Sequence, residues 1–354
     1  LARQGDGDPL PVPAKTIKPG DPYPDAAQLA KRLQLLGDLS ATASALPSPD
    51  TTLYTGALVD AVKHFQQRHG LDPDAALGQK TVSEINTPLS QRVLQLQLAL
   101  ERWRWIPPDF PRPPVVVNIP EFRLRAINDQ QQVALSMRVV VGKAYRHQTP
   151  VFADSMKYLV FRPYWNVPIS IQRSELVPKI RKDRSYLAKH SYEVVTSSGQ
   201  VVSEGAVSDA TLAQLASGKL SIRQTPGPEN ALGAVKFIFP NEYNVYLHST
   251  PAQELFSRAR RDFSHGCIRV EDPLALAGWV LQGKPEWTLD RIKAAMSPSG
   301  SPSQQVNLDK PIPVLILYAT AVVSQDGEAD FFDDIYGYDG ELEKVLAKGY
   351  PYPG

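Results

Sequence analysis

Apolar residues recur at helical spacing in the first third of the chain and at alternate positions in most of the rest. Leu29, Leu33 and Leu36 stand at i, i+4 and i+7, and Gly37 supplies a stop, so a helix is predicted after Asp21. Ala57, Ala61, Val62 and Phe65 line a second helix that ends at Gly70, and a third runs from about Gln79 to Ile85 behind Gly78. Polar loops separate the three, including a proline-containing one from Ser40 to Thr52. Pro88 breaks the pattern. Leu89 to Trp105 then reads as a longer helix with Val93, Leu96, Leu100 and Trp103 on one face, a strut in which Trp103 and Trp105 are packing anchors.

From Val115 the period becomes two. Runs 115–119, 121–127 and 133–141 read as strands, followed by β-like runs at 157–161, 192–196, 235–239, 244–248 and 314–318. Segment 162–228 interrupts them with a helical stretch from Arg173 to Lys182, many charges, and Tyr164, Trp165, Tyr186 and Tyr192; it reads as a cap inserted over the sheet. The chain is therefore expected to be α+β and multi-domain. Its parts are a flexible arm 1–20, a helical module 21–88, a linking helix 89–112, a mainly β domain 113–325 carrying the cap, and a docking segment 326–354 without chemistry.

Composition narrows the classes. With 38 basic and 37 acidic residues the net charge is +1, which gives no field to draw in nucleic acid or an anionic membrane. The longest apolar run, Val314 to Ala319, suits a buried strand and not a span of ~18 residues. Proline, at 32 residues, exceeds the roughly 18 expected from average usage and clusters at 107–114, 226–228 and 311–313, as joints between modules do. Leu1 opens without an initiator Met, n-region or h-region, as a mature fragment would. The single cysteine excludes a disulfide within the chain and a thiolate-rich four-ligand zinc site.

That cysteine stands in Ser264-His265-Gly266-Cys267-Ile268-Arg269, nineteen residues after His248 in Tyr246-Leu247-His248-Ser249-Thr250. Thr250 and Pro251 predict a helix over 251–262 with Arg258, Arg260 and Arg261 on its solvated face, and Asp272-Pro273 starts another. A thiol that attacks an amide needs a base to take its proton, a third group to orient that base, and N–H donors for the oxyanion. Gly266 permits a tight turn beside the sulfur. Composition does not choose between His248 and His265 as base. Gly142-Lys143 and Thr149-Pro150 read as strand-end and loop punctuation.

His248, a gap of fifteen residues, and then Ser264-His265-Gly266-Cys267-Ile268 resembles the signature of the L,D-transpeptidase catalytic domain family. Arg269, Arg223 to Pro228, Asn230 to Gly233 and Glu101 to Trp105 resemble its large multi-domain Gram-negative branch, and Phe65 to Leu71 with Gly78 and Thr81 resembles a peptidoglycan-binding helical domain. The resemblance implies a β-sandwich or mixed-sheet catalytic domain with Cys267 as nucleophile and His248 as base. The Ser249 carbonyl would orient the ring, and N–H groups around Gly266 would form the oxyanion hole. Arg269, His265, Tyr246, Ser264 and Trp165, with Tyr164 beside it, would face substrate. It further implies peptidoglycan stem peptides as donor and acceptor, acylation by carbapenems, no cofactor or metal, no nucleic acid, and a periplasmic location. Rivals are an L,D-carboxypeptidase, attachment or release of a lipoprotein, a wall-binding scaffold without catalysis, and a metal site built from His248, His265 and Cys267.

Overall fold

The computed structural model describes residues 5–40, 53–110, 114–145, 147–203, 206–324 and 327–349. The first four residues of the arm, most of the 40–52 loop and the centre of the 107–114 proline cluster lie outside them. Helices α1 (Ala26–Leu36), α2 (Ala57–Arg68) and α3 (Gln79–Ile85) close a core of Leu29, Leu33, Val62, Phe65, Val82 and Ile85. The arm is not loose over its described part. Leu10 is buried in that core, and Asn86 pairs both of its backbone groups, accepting from Leu10 N–H and donating to Leu10 C=O at 2.8 Å each. Gln28 donates to the Asp8 and Pro9 carbonyls, Leu89 N–H donates to Asp6, and Ile17 bridges Leu77, so the backbone of this Pro-, Gly- and Asp-rich segment is tied at several points.

Helix α4 (Leu89–Arg104) departs from the expected strut. Most of its predicted apolar face is open: Leu96 packs inward, but Val93, Leu100 and Trp103 are exposed, as is Trp105 at the helix end, and the two tryptophans line a cleft of about 610 Å³ with Ile106, Phe110 and Leu342. The helix is held by its other side. Ala99 packs on Ala319 and Phe331, Arg92 lies over the Phe331 ring and pairs with Glu84 at 2.6 Å, and Arg102 pairs with Asp339 at 2.5 Å. Periodicity marks an apolar face, but it does not say which neighbour will reach it.

The β domain is built from β1 (Val115–Asn118), β2 (Arg123–Ile127), β3 (Val133–Gly142) and β4 (Phe152–Phe161), then β9 (Val235–Ile238), β10 (Leu247–His248), β11 (Asp262–Ser264), β12 (Ile268–Val270) and the long β13 (Gln304–Leu317). Their order is β11-β3-β12-β10-β9-β4-β13-β1-β2, and β2 also pairs with β3, so the sheet closes on itself around an apolar interior. Helices Pro273–Val280 and Leu289–Met296 add Leu276, Ala277 and Ile292 to that core.

The insertion is a small body of its own. Strands β5 (Trp165–Asn166), β6 (Tyr192–Val195), β7 (Val201–Ser203) and β8 (Ser221–Gln224) form a separate sheet, ordered β5-β8-β6-β7, over a core that includes Ile171, Ile180, Leu215 and Ile222. A π turn, Gln172–Leu176, sits at its centre. Buried Gln172 donates to the carbonyls of Leu215 and Leu220 and accepts from Ile222 N–H, which ties helix to sheet. After the closed sheet, the hairpin β14 (Ala321–Val323) and β15 (Ala329–Phe331) bridges to the helical module, where His69 stacks between Phe65 and Phe331.

Candidate active site

Three neighbouring strands bring the expected chemistry together. β10 runs antiparallel to β9 and parallel to β12, with His248 opposite Lys236 on one side and Arg269 on the other. Register partners point to the same face, so Lys236, His248 and Arg269 form one row. The next row, Phe237, Leu247 and Ile268, faces the interior and is fully buried. Tyr246 and Cys267 return to the outer face. A basic row thus sits on a sheet whose other face is all hydrocarbon.

The turn that carries Cys267 is tied by its own residues. Ser264 Oγ donates to the Cys267 carbonyl at 2.6 Å and accepts from Gly266 N–H at 3.1 Å. Gly266 adopts φ +114°, a backbone state that disfavours other residues. Its N–H is thereby occupied within the turn, whereas among the described residues neither the His265 nor the Cys267 N–H has a hydrogen-bond partner, and these are the donors left in the turn. The turn is braced from below by Thr149, whose hydroxyl donates to the Gly266 carbonyl at 2.8 Å and accepts from Gly142 N–H at 2.9 Å. Tyr336 completes the brace by donating to the Gly142 carbonyl at 2.6 Å and accepting from Thr149 N–H at 3.1 Å. Gly142, Thr149 and the C-terminal segment, to which the sequence attached no chemistry, therefore hold the turn that carries Cys267. A Thr two residues beyond a loop carries no local signal of this, because its partners lie 117 and 187 positions away.

His248 is buried, and its Nδ1 lies 2.5 Å from the Ser249 carbonyl, to which it donates. Burial, and then the Arg269 and Lys236 cations, hold the imidazole down at about 3, against the Ser249 and Leu232 carbonyls, which favour its charged form. The ring is therefore a neutral proton acceptor at working pH. Leu232 belongs to the 230–233 run, and the Asn230 side chain fixes that run by donating to the Thr225 carbonyl at 2.9 Å and accepting from Leu232 N–H at 2.8 Å. Burial pushes the Cys267 thiol up, while the Tyr246 backbone N–H and hydroxyl, Arg269 and Lys236 favour its thiolate. The thiol's hydrogen bond goes to the Asn244 carbonyl at 3.6 Å, and among the described residues none joins Sγ to His248.

The depressed imidazole has a stability consequence. The unfolded chain takes up a proton near the ordinary 6.5, whereas the folded ring resists until about 3. The unfolded state binds more protons in that window, so stability is full above about 6.5 and falls as pH drops toward 3, by up to about 1.4 kcal/mol per pH unit. Buried His69, also held down by burial, acts the same way, and Asp330, raised by burial to about 6, opposes them as pH falls below 6. Thermal unfolding from pH 7.5 to 4 is expected to show a falling Tm, with a shallower fall in His248→Gln. Parallel profiles would contradict the assignment.

The remaining expected residues divide. His265 turns toward the cap: its Nε2 meets Glu175 of the π turn at 2.5 Å, and its ring lies 4.8 Å from that of His147. Glu175, ninety positions away, carries no local signal of this contact. Trp165 packs against Tyr192 in the cap's own core, and Tyr164 is covered by the Arg223 guanidinium at 4.4 Å. The predicted 251–262 helix is a short 3-10 turn, Gln253–Ser257, followed by β11. Arg261 is accordingly not solvated but buried, donating to the Val139 and Phe122 carbonyls at 3.2 and 3.1 Å, because β11 pairs with β3 and draws it inward. His248, His265 and Cys267 do not converge as metal ligands. Among the described residues, the His/Cys/Asp/Glu set that does is Asp38, His64 and Glu328, and there the Arg68 guanidinium already pairs with Asp38 at 2.7 Å and Glu328 at 3.2 Å.

Residues 113–287 match the model of the L,D-transpeptidase catalytic domain family. The chain carries an L,D-transpeptidase catalytic domain. Residues 22–85 match a family described as "Putative peptidoglycan binding domain". The chain is 33 % identical over 248 residues to a "Putative L,D-transpeptidase" of Haemophilus influenzae, a match covering 70 % of this chain and 48 % of that protein. It thus spans about half the length of the curated relative it matches. Solved structures of L,D-transpeptidases from Xylanimonas cellulosilytica (16 % identity, TM-score 0.24, 87 % of this chain and 100 % of that one) and Stackebrandtia nassauensis (13 %, 0.31, 87 % and 97 %) are also similar, at scores too low to compare sites. In this domain, His248 ends β10, Cys267 stands in the turn immediately before the parallel neighbour β12, and the cap reaches that turn through Glu175.

Proposed function

We propose that the protein is a peptidoglycan L,D-transpeptidase with Cys267 as nucleophile. The observation that carries this reading is a single thiol on the same sheet face as a buried neutral histidine, beside a free backbone N–H, within a domain of this family. In acylation, Sγ attacks the carbonyl carbon of the third residue of a tetrapeptide stem. The thiol proton passes by way of His248 to the leaving amine, the C–N bond breaks, D-Ala departs and a thioester remains. In transfer, the amine of a neighbouring stem attacks the thioester and gives up a proton, and the C–S bond breaks to leave an amide between two third residues and the free thiol. The Cys267 N–H serves the oxyanion in both halves. The helical module would hold the wall, and the work would be done in the periplasm. Mass spectrometry of products from purified muropeptides tests this: cross-linked dimers are the expected result. Tripeptides alone would mean that water is the acceptor, as in an L,D-carboxypeptidase, and unchanged substrate would overturn the reading.

A further inference from the structure

We propose that Lys236 is the counter-charge of the Cys267 thiolate, sharing with Arg269 the part that an imidazolium would otherwise play. The proposal rests on Cys267 being the nucleophile. Lys236, His248 and Arg269 form one cross-strand row, and Tyr246 and Cys267 lie beside it on the same face. The Lys236 ammonium is 6.0 Å from the centre of the Tyr246 ring, whose hydroxyl and backbone N–H face the sulfur. Lys236 is only partly accessible, and among the described residues it has neither a salt bridge nor a hydrogen bond. An ammonium withdrawn from water without a carboxylate beside it is costly unless an anion forms there.

The groups facing this spot are Tyr246 and His248 from β10, Lys236 from β9, Cys267 and Arg269 from the turn and β12, and Glu254 from the 3-10 turn. Tyr246 is kept protonated by burial, and Glu254 acts on Arg269. His248 is neutral and makes no hydrogen bond to Sγ. Cys267 is what remains to carry negative charge next to Lys236. Lys236 gave no signal in the sequence beyond being a lysine within the otherwise apolar run Val235 to Phe239.

The test is the pH dependence of Cys267 alkylation by iodoacetamide in the full chain. The thiol proton goes to buffer, the thiolate attacks the methylene carbon, an S–C bond forms and iodide leaves. A nearby opposite charge favours the ionised form, and one pKa unit is a tenfold change in the thiolate fraction below the midpoint. Lys236→Met is expected to raise the alkylation midpoint by about one pH unit and slow the reaction at pH 7 about tenfold, and Lys236→Arg to keep the wild-type profile. Should Lys236→Met fail to fold, Lys236→Gln is read in its place. Superimposable profiles overturn the proposal, as does an unchanged profile joined to a raised KM for the stem peptide, which would make Lys236 a reader of the substrate carboxylate. A Lys236-dependent profile in a chain that stem peptides and carbapenems never acylate upholds the pairing and overturns the proposed function instead.

Discussion

Cys267→Ala is expected to give no covalent adduct with a carbapenem, while the wild type gains one equivalent by intact mass. Transfer between stem peptides should fall by at least about 10³-fold, since covalent catalysis has no substitute nucleophile: the chain has no second cysteine. The substitution should leave the fold intact. Cys267 is half-buried, its hydrogen bond to Asn244 is long at 3.6 Å, and the ties of its turn come from Ser264 and from the Cys267 carbonyl, which alanine keeps. Tm should therefore stay near the wild-type value, separating chemical from structural loss. Stoichiometric labelling of Cys267→Ala by a carbapenem would sink the nucleophile assignment.

Gly142→Ala, which alters no group proposed to react, is expected to damage both stability and activity. A Cβ at this position would lie 1.8 Å from the His147 carbonyl oxygen and 2.8 Å from Thr149 N. Both are backbone atoms, so the 147–149 loop has to move rather than a side chain rotate. That loop carries Thr149, which links Gly142 to the Gly266 carbonyl, and Tyr336 closes the same network from the C-terminal side. A loss of about 2–4 kcal/mol is expected, from overpacking together with broken buried hydrogen bonds. Tm should drop by roughly 5–10 °C, with carbapenem acylation slowed about tenfold or more even below the transition. Gly227→Ala is the control, because its added Cβ meets nothing within 4 Å. Calorimetry with time-resolved intact mass checks both variants, and a Gly142→Ala protein with wild-type Tm and acylation rate would show that the brace does not matter.

The sequence was most informative where chemistry and local periodicity coincide. The three helices of the module follow from i, i+4 spacing, and the single thiol with its histidine follows from a motif that needs no knowledge of the fold. Local pattern went astray where a partner distant in sequence decides the outcome. Thr250-Pro251 is a sound helix start, but pairing of Asp262 with Val141 pulls the segment into a strand and buries Arg261. The apolar stripe of α4 is real, yet of its members Leu96 alone packs inward, and Arg92, Ala99 and Arg102 meet Phe331, Ala319 and Asp339 on the other side. The arm looked mobile by composition and is pinned by Asn86, seventy-six positions on.

The sequence by itself supplied a single thiol and a histidine nineteen residues before it, and the resemblance those residues carry proposed their roles, since a motif of fixed residue types at set spacing can be read without the fold. Only the tertiary structure decided the electrostatics around them. Lys236 and Arg269 flank His248 through strand register, Glu175 reaches His265 from the cap, and Thr149 and Tyr336 brace the turn from two other segments. Charge, burial and hydrogen bonding depend on distance through space, and a closed sheet brings together residues that the chain keeps far apart.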